Sequence, residues 1–213
     1  MLIDVSYFVG EINIPNCSID DITNGVENPT NDNLMRFIRK YEIEILRSAL
    51  GMDLYRNFMN ALGQKSDGTG YDNVTNGRAN NSVDQKWKDL LNGAEYYGLD
   101  SRLHKWQGFI ALQDDTSSPK SLIANYVYYK YLKNAASLTT GIGEVISNAD
   151  NSTNTSIMNK SVNAWNEMVE WLHDLIWFMD TKISYDYNYY PGWILQNRYL
   201  LLSHFQIINS FNI

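Results

Sequence analysis

Residues 157–180 read IMNKSVNAWNEMVEWLHDLIWFMD. Within this run Met158, Val162, Trp165, Val169, Leu172, Ile176 and Met179 recur at alternate steps of four and three, one apolar line down a single helix. A second line, Ala164, Met168, Trp171, Leu175 and Phe178, lies beside it at the same spacing, and Asn163, Glu167, Glu170 and Asp174 hold the polar stripe. A helix with two apolar lines either packs on its own bundle and on a neighbouring molecule at once, or lies deep inside one bundle. The pattern alone leaves both readings open. Either way the fold is mainly α.

Working outward, Leu122, Ile123, Tyr126, Val127, Tyr128, Tyr129, Tyr131 and Leu132 cover most of a second helix, which should lie centrally. Ser118 as cap and Pro119 at the first helical position are its expected start. From Thr30-Asn-Asp32, the positions Leu34, Phe37, Ile38, Tyr41, Ile45 and Ala49 mark an amphipathic helix. Gly51 breaks it, and Leu54, Tyr55, Phe58, Met59 and Leu62 resume the same period. Val83, Trp87, Leu90 and Leu91 make a short helix ending at Asn92-Gly93, and Ala94 to Trp106 fits a β-hairpin. Gly108 to Leu112 starts another helical or strand segment. Residues 1–29 read as an irregular leader packed on the domain, with a short strand around Ile12 to Ile14 as an option.

Two polar stretches interrupt this scheme. Residues 63–82 hold four Gly, four Asn and almost nothing apolar, and a loop of that length is expected to be either functional or disordered. Residues 139–156 alternate briefly at Ile142, Glu144 and Ile146 and then turn polar, as in a projecting hairpin or loop. The carboxyl-terminal stretch 183–213 is the opposite: 17 of its 31 residues are apolar or aromatic, so it must be buried, against its own core or against another protein. The expected architecture is a bundle of about four to five helices with one or two short β-hairpins. Residues 1–182 form its helical domain, and 183–213 an extended aromatic arm.

Composition excludes several function classes. The 213 residues suit one large domain, and 44% hydrophobic with 19% charged residues gives a real core and not a disordered chain. Seventeen Lys plus Arg against 24 Asp plus Glu, a formal charge of −7, argues against an ordinary nucleic-acid-binding domain. Cys17 is the only cysteine, so neither a disulfide framework nor a thiolate zinc site is expected. Asp4 and Glu11 break the amino-terminal run, which lacks a basic start, so no secretory signal is read there and maturation in a cytosol is expected. No stretch approaches the ~20 apolar residues of a membrane span.

Chemistry is not signalled. His104, His173 and His204 lie far apart, and none has a metal-style partner three or four residues away on a helix. Gly141-Ile-Gly143 lacks the third glycine of a dinucleotide loop, and Asp114-Asp115 read as solvated surface before a catalytic dyad. No enzyme and no cofactor are expected.

Six segments in order, LGMDLYRNFMNAL (50–62), DQKWKDLLNGAEY (84–96), RLHKWQGF (102–109), NYVYYKYL (125–132), GIGEV (141–145) and NAWNEMVEWL (163–172), carry a family resemblance. The chain resembles the head-to-tail connector, or adaptor, proteins of tailed bacteriophages, in the version of crAss-like phages and related phages and prophages of gut Bacteroidetes. The polar 113–120 and 63–82 fall outside the likeness. The resemblance implies a virion protein, assembled in the host cytoplasm, that forms a ring, typically twelvefold, under the portal protein at the head-tail junction. There it would line the DNA exit channel, with passive contact to the genome, and meet the next tail or ring protein below. It also implies a carboxyl-terminal portal-docking arm, here Tyr185, Tyr187, Tyr189, Tyr190, Trp193, Leu201 and Phe205. The subunit-packing line on the long helix would be Ala164, Met168, Trp171, Leu175 and Phe178. A net acidic ring would let DNA slide without sticking.

The alternative is a carbohydrate-binding helical module using exposed Trp and Tyr, for which Trp106 and Trp193 are the tryptophans left free of predicted helices. A scaffolding helical protein, forming a small defined oligomer in place of a large ring, is a third reading.

Overall fold

Why the long helices stop and start where they do is set by a few polar side chains and glycines. The computed structural model describes residues 1–67, 70–111, 119–135, 137–140, 143–146, 154–193 and 195–208, with backbone alone at 137–140, 143–146, 154–158 and 195–196. Seven helices appear among them: α1 (Ile19–Thr23), α2 (Pro29–Leu50), α3 (Met52–Ala61), α4 (Gln85–Asn92), α5 (Leu122–Ala135), α6 (Asn154–Tyr185) and α7 (Leu195–His204). Three two-stranded antiparallel hairpins join them: β1 (Val74–Thr75) with β2 (Arg78–Ala79), β3 (Ala94–Tyr97) with β4 (Leu103–Trp106), and β5 (Ser137–Thr140) with β6 (Gly143–Ile146). The protein is mainly helical with short hairpins. Asp114, Asp115, Ser118, Gly141 and the stretch 147–153 lie outside the described residues.

The helix starts differ from the sequence expectation. α2 begins three residues before Asp32: the Asn28 side chain accepts from Thr30 N–H and Asn31 N–H, and Pro29 supplies a preset φ at the first position. α5 begins after Ser121, not at Pro119, because the Ser121 hydroxyl does two jobs. It accepts from Ile123 N–H at 3.1 Å and donates to Phe109 C=O at 2.8 Å, capping the helix and tying it to the hairpin side. The Gly108 to Ala111 stretch is neither helix nor strand; it bridges at Ile110 to Ser121.

α5 is the centre of the bundle. Every residue from Leu122 to Tyr128 is buried, with α2 on one side and α6 on the other. Phe37 and Tyr41 of α2 meet Tyr131 and Tyr126 edge-on, and Tyr129 meets Trp165 of α6 with centroids 4.6 Å apart. At the far end an aromatic core forms where α3, α4, the chain around β4 and α6 converge. Phe58, Trp87, Trp106, Phe109 and Phe178 pack within 6.0 Å of one another in successive pairs. Gly108, at φ +88, lets β4 pass so close to the end of α4 that a Cβ there would meet main-chain atoms of Leu91 to Gly93 at 2.5 Å.

The leader carries no strand. It makes two single 3-10 turns, Val5–Tyr7 and Gly10–Ile12, and then α1, and it is packed as expected, with Leu2, Ile3, Val5, Phe8 and Ile14 buried. The described residues of 63–82 are folded as well. Glu42, buried on α2, accepts from Leu2 N–H at 2.7 Å and from the Tyr71 hydroxyl at 2.9 Å, pinning leader and loop to the same helix. Burial pushes the Glu42 carboxyl up, against the pull of these donors. Asn73 donates to Ala61 C=O, and Asn92 both accepts from Ala79 N–H and donates to Gly77 C=O. Side-chain amides do here what apolar contacts do elsewhere.

Candidate interaction surfaces

The long helix settles its two-line ambiguity by burial. Ala164, Met168, Trp171, Leu175 and Phe178 are all buried in the chain's own core, and so are Val162, Val169, Leu172, Ile176 and Met179. The line expected to pack subunits is therefore not a free surface: α5, β4 and the leader enclose α6 around most of its circumference. Between residues 161 and 183 α6 exposes the polar stripe Asn163, Glu167, Glu170 and Asp174, followed by Trp177 at 57% exposure. Partial burial pushes the Asp174 carboxyl up, His173 and His104 opposing.

The aromatic tail divides between two environments. Tyr190, Trp193, Leu201 and Phe205 are buried, so this part of the expected arm is built into the bundle and does not extend from it. The Tyr190 hydroxyl donates to Lys86 C=O at 2.7 Å, and its ring meets Trp87 and Phe178. Burial raises that phenol well above its ordinary value. Trp193 Nε1 donates to Asp180, which also pairs with Arg198 at 3.0 Å. The turn at Pro191-Gly192 rests on α3, where Asn57 donates to Pro191 C=O. From α7, Asn197 reaches the α2–α3 junction and donates to Leu50 C=O at 3.1 Å. Gly51, at φ +74, makes room for it: a Cβ there would stand 2.8 Å from the Asn197 amide. Beyond α7, Asn166 holds the Ile208 main chain in both directions, and Trp165 Nε1 donates to Gln206 C=O. α6 runs on past 182 to Tyr185, and the tail folds back over it.

The outward part of the tail is still apolar. Tyr185, Tyr187 and Tyr199 are 69, 77 and 68% exposed, and Tyr189 is half-buried. Leu202 joins Leu99, Ile176 and Trp177 around an open groove of about 410 Å³, closed at its rim by Asp180 and Arg198. Leu99 is the tip of the β3–β4 hairpin, and on the hairpin's outer side Tyr97 and Leu103 stand directly opposite each other, both exposed. Inside it, His104 stacks between Tyr96 and Trp177 and hydrogen-bonds Asp100 at 2.9 Å. That bond, with Arg102 N–H, holds the Asp100 carboxyl below its usual range.

Sequence reading missed the groove because Trp177 lies in an otherwise buried helix; the signal was that it falls on neither apolar line. It also expected Trp106 and Trp193 to be free, and both are buried, with the Trp106 indole N–H on Leu90 C=O. Among the described residues no group of three or more His, Cys, Asp or Glu could hold a metal ion, and no helix is long and apolar enough to cross a membrane. Comparison with known proteins finds no family model that matches the chain and no significant match to a curated protein or a solved structure.

Proposed function

We propose that the chain is a structural protein of a tailed-phage virion, a head-to-tail connector that sits as a ring below the portal, lines the DNA exit channel and links capsid to tail. The observation that carries the reading is the uncovered apolar surface made by α7, the end of α6 and the β3–β4 hairpin. A monomer that solvated itself fully would not leave Leu99, Trp177 and Leu202 around one open groove and Tyr185, Tyr187 and Tyr199 outward as well. Tyr and Trp with a polar rim are the usual anchors of a protein interface. Five of the six ordered segments that resemble the connector family, 50–62, 84–96, 102–109, 125–132 and 163–172, contribute buried residues to the core, so the likeness and the surface are separate supports for the same reading. The portal-docking element becomes the outward face of the folded tail, Tyr185, Tyr187, Tyr199 and Leu202, in place of a free arm.

The test is the mass of the complex formed on mixing the chain with the portal protein of the same phage. The comparison variant carries Tyr185→Ser, Tyr187→Ser, Tyr199→Ser and Leu202→Gln, which leaves the buried half of the tail intact. A large complex of fixed stoichiometry, lost in the variant, supports the reading; no complex with the unaltered chain sinks it. The carbohydrate reading keeps one observation, the exposed Trp177 ring stacked on His104. A soluble oligosaccharide that shifts tryptophan fluorescence in the unaltered chain, and not in Trp177→Ala, would favour it.

A further inference from the structure

The three-helix layer α2–α5–α6 carries opposite charge on its two flanks. On the outer side of α2, Arg36, Lys40 and Arg47 fall on one stripe, with Arg39 beside it, and all four are exposed. None of them forms a salt bridge among the described residues; Arg47 lies over the Tyr55 ring and Lys40 over Tyr41. The acids near this stripe offset part of it: Glu42 is buried, Glu44 is paired with Lys130 at 3.0 Å and also feels Lys40, and Asp32 and Glu27 share a hollow with Arg36, which leaves Arg39 and Arg47 as the cations with no acid beside them in these contacts. The outward stripe of α6 is the reverse, with Glu167, Glu170 and Asp174 exposed, exposed Glu11 of the leader near Glu167, and Lys160 and Lys120 as the nearby cations.

We infer that these two flanks bind each other between copies, the α2 stripe of one molecule against the α6 stripe of the next. The occupant is a second copy because the complement of each flank is present on the same chain, on the far side of a buried central helix. A patch that finds its complement elsewhere on the same molecule makes a heterologous contact, and such contacts close into rings when the rotation allows. The acidic stripe fits within the basic one: Arg36 to Arg47 spans roughly 16 Å of helix and Glu167 to Asp174 roughly 10 Å at 1.5 Å per residue. This also reconciles a chain of net charge −7 with a strongly basic helix face. The inference rests on the ring reading and supplies its lateral contact, which the buried line of α6 does not.

The experiment uses two charge-reversed full-length chains, one with Arg36→Glu, Lys40→Glu and Arg47→Glu, the other with Glu167→Lys, Glu170→Lys and Asp174→Lys. Circular dichroism and a thermal melt establish that both fold, and neutral Gln versions replace any that does not. Sedimentation is followed at low salt and again at 0.5 M salt, where screening reaches well inside the ~10 Å Debye length of 0.1 M. Each reversed chain alone should remain monomeric, and their equimolar mixture should at least double in weight-average mass, as the unaltered chain does, with the gain lost at 0.5 M salt. A mixture no heavier than its components overturns the inference, as does self-association unaltered in the single variants. Loss of binding to a short DNA duplex in the α2 variant, with self-association unchanged, overturns it in favour of a nucleic-acid contact. A portal complex of fixed mass that forms equally with both variants would sink this contact and keep the connector reading; rescue in the mixture without any portal complex would do the reverse.

Discussion

The polar run 63–82 and the aromatic run 183–208 exchange the roles their compositions suggest. The first has almost no apolar residue and is nevertheless tied down, through Glu42, Asn73 and Asn92, to three parts of the bundle. The second is rich in apolar and aromatic residues, and half of it faces outward. The difference teaches that composition measures how much surface a segment must hide, while hydrogen-bonding side chains decide where an irregular segment is held. An amide presents a donor and an acceptor together, so a single Asn can fix main chain on both sides of a turn.

The comparison breaks hardest at the tail. Ending the chain after Lys182 removes Tyr190, Trp193, Leu201 and Phe205 from the core. At about 3 kcal/mol per large buried side chain the loss is roughly 10 kcal/mol, as large as the whole stability of an ordinary domain. The truncated chain should show no cooperative urea transition, and a transition like that of the full chain would mean the tail is an appendage after all. Tyr190→Ala alone should cost about 4 kcal/mol, because the ring leaves the Trp87 and Phe178 cluster and the Lys86 carbonyl loses its donor.

The polar run is tested at its anchor. Glu42→Ala takes the carboxylate partner from the buried Leu2 amide and from the Tyr71 hydroxyl and should cost about 3 kcal/mol. Amide exchange should then accelerate at both ends of the sequence the carboxyl joins, the leader and 63–82, while α5 stays protected. Acceleration in only one of them would mean that Glu42 does not couple the two. Asn92→Ala acts on the same run from the other side and should cost about 2 kcal/mol, since Ala79 N–H and Gly77 C=O both lose a partner.

Much of the fold was legible because its signals are periodic. The step pattern of 157–180, the break at Gly51, the Asn92-Gly93 stop and the 94–106 hairpin each depend on residues close in sequence, and each stands in the structure. What was illegible depends on partners far away. Nothing local distinguishes Ser121 from Ser118 as a cap until Phe109 is brought beside it. Nothing in 63–82 announces Glu42, which sits 29 residues before Tyr71. On α6 both apolar lines were visible, but whether the second faced a neighbour or the core was settled by α5 and the tail folding over it. The interaction surface was the least legible part. Trp177 and Leu99 become one groove only when the hairpin is laid against α6, and α7 shows its inner and outer sides only after Asn197 has found the α2–α3 junction.

Gly51 allows the two regimes of the tail to be separated with a small perturbation. Gly51→Ala places a Cβ at φ +74 and pushes on the Asn197 amide, so it should cost about 1 to 2 kcal/mol and loosen α7 without emptying the core. The double variant Tyr185→Ser, Tyr187→Ser acts on the outer side alone. Both rings are more than two-thirds exposed, so the melting curve should move by less than about 0.5 kcal/mol. If the outward tail is a docking face, the same pair should still weaken the portal complex about tenfold or more, as exposed tyrosines do when they become buried anchors on binding. A variant that loses stability and binding together would mean that these rings are part of the core. One that loses neither would leave the exposed aromatic end of α6 as ordinary surface, and move the docking face to Leu99, Trp177 and Leu202.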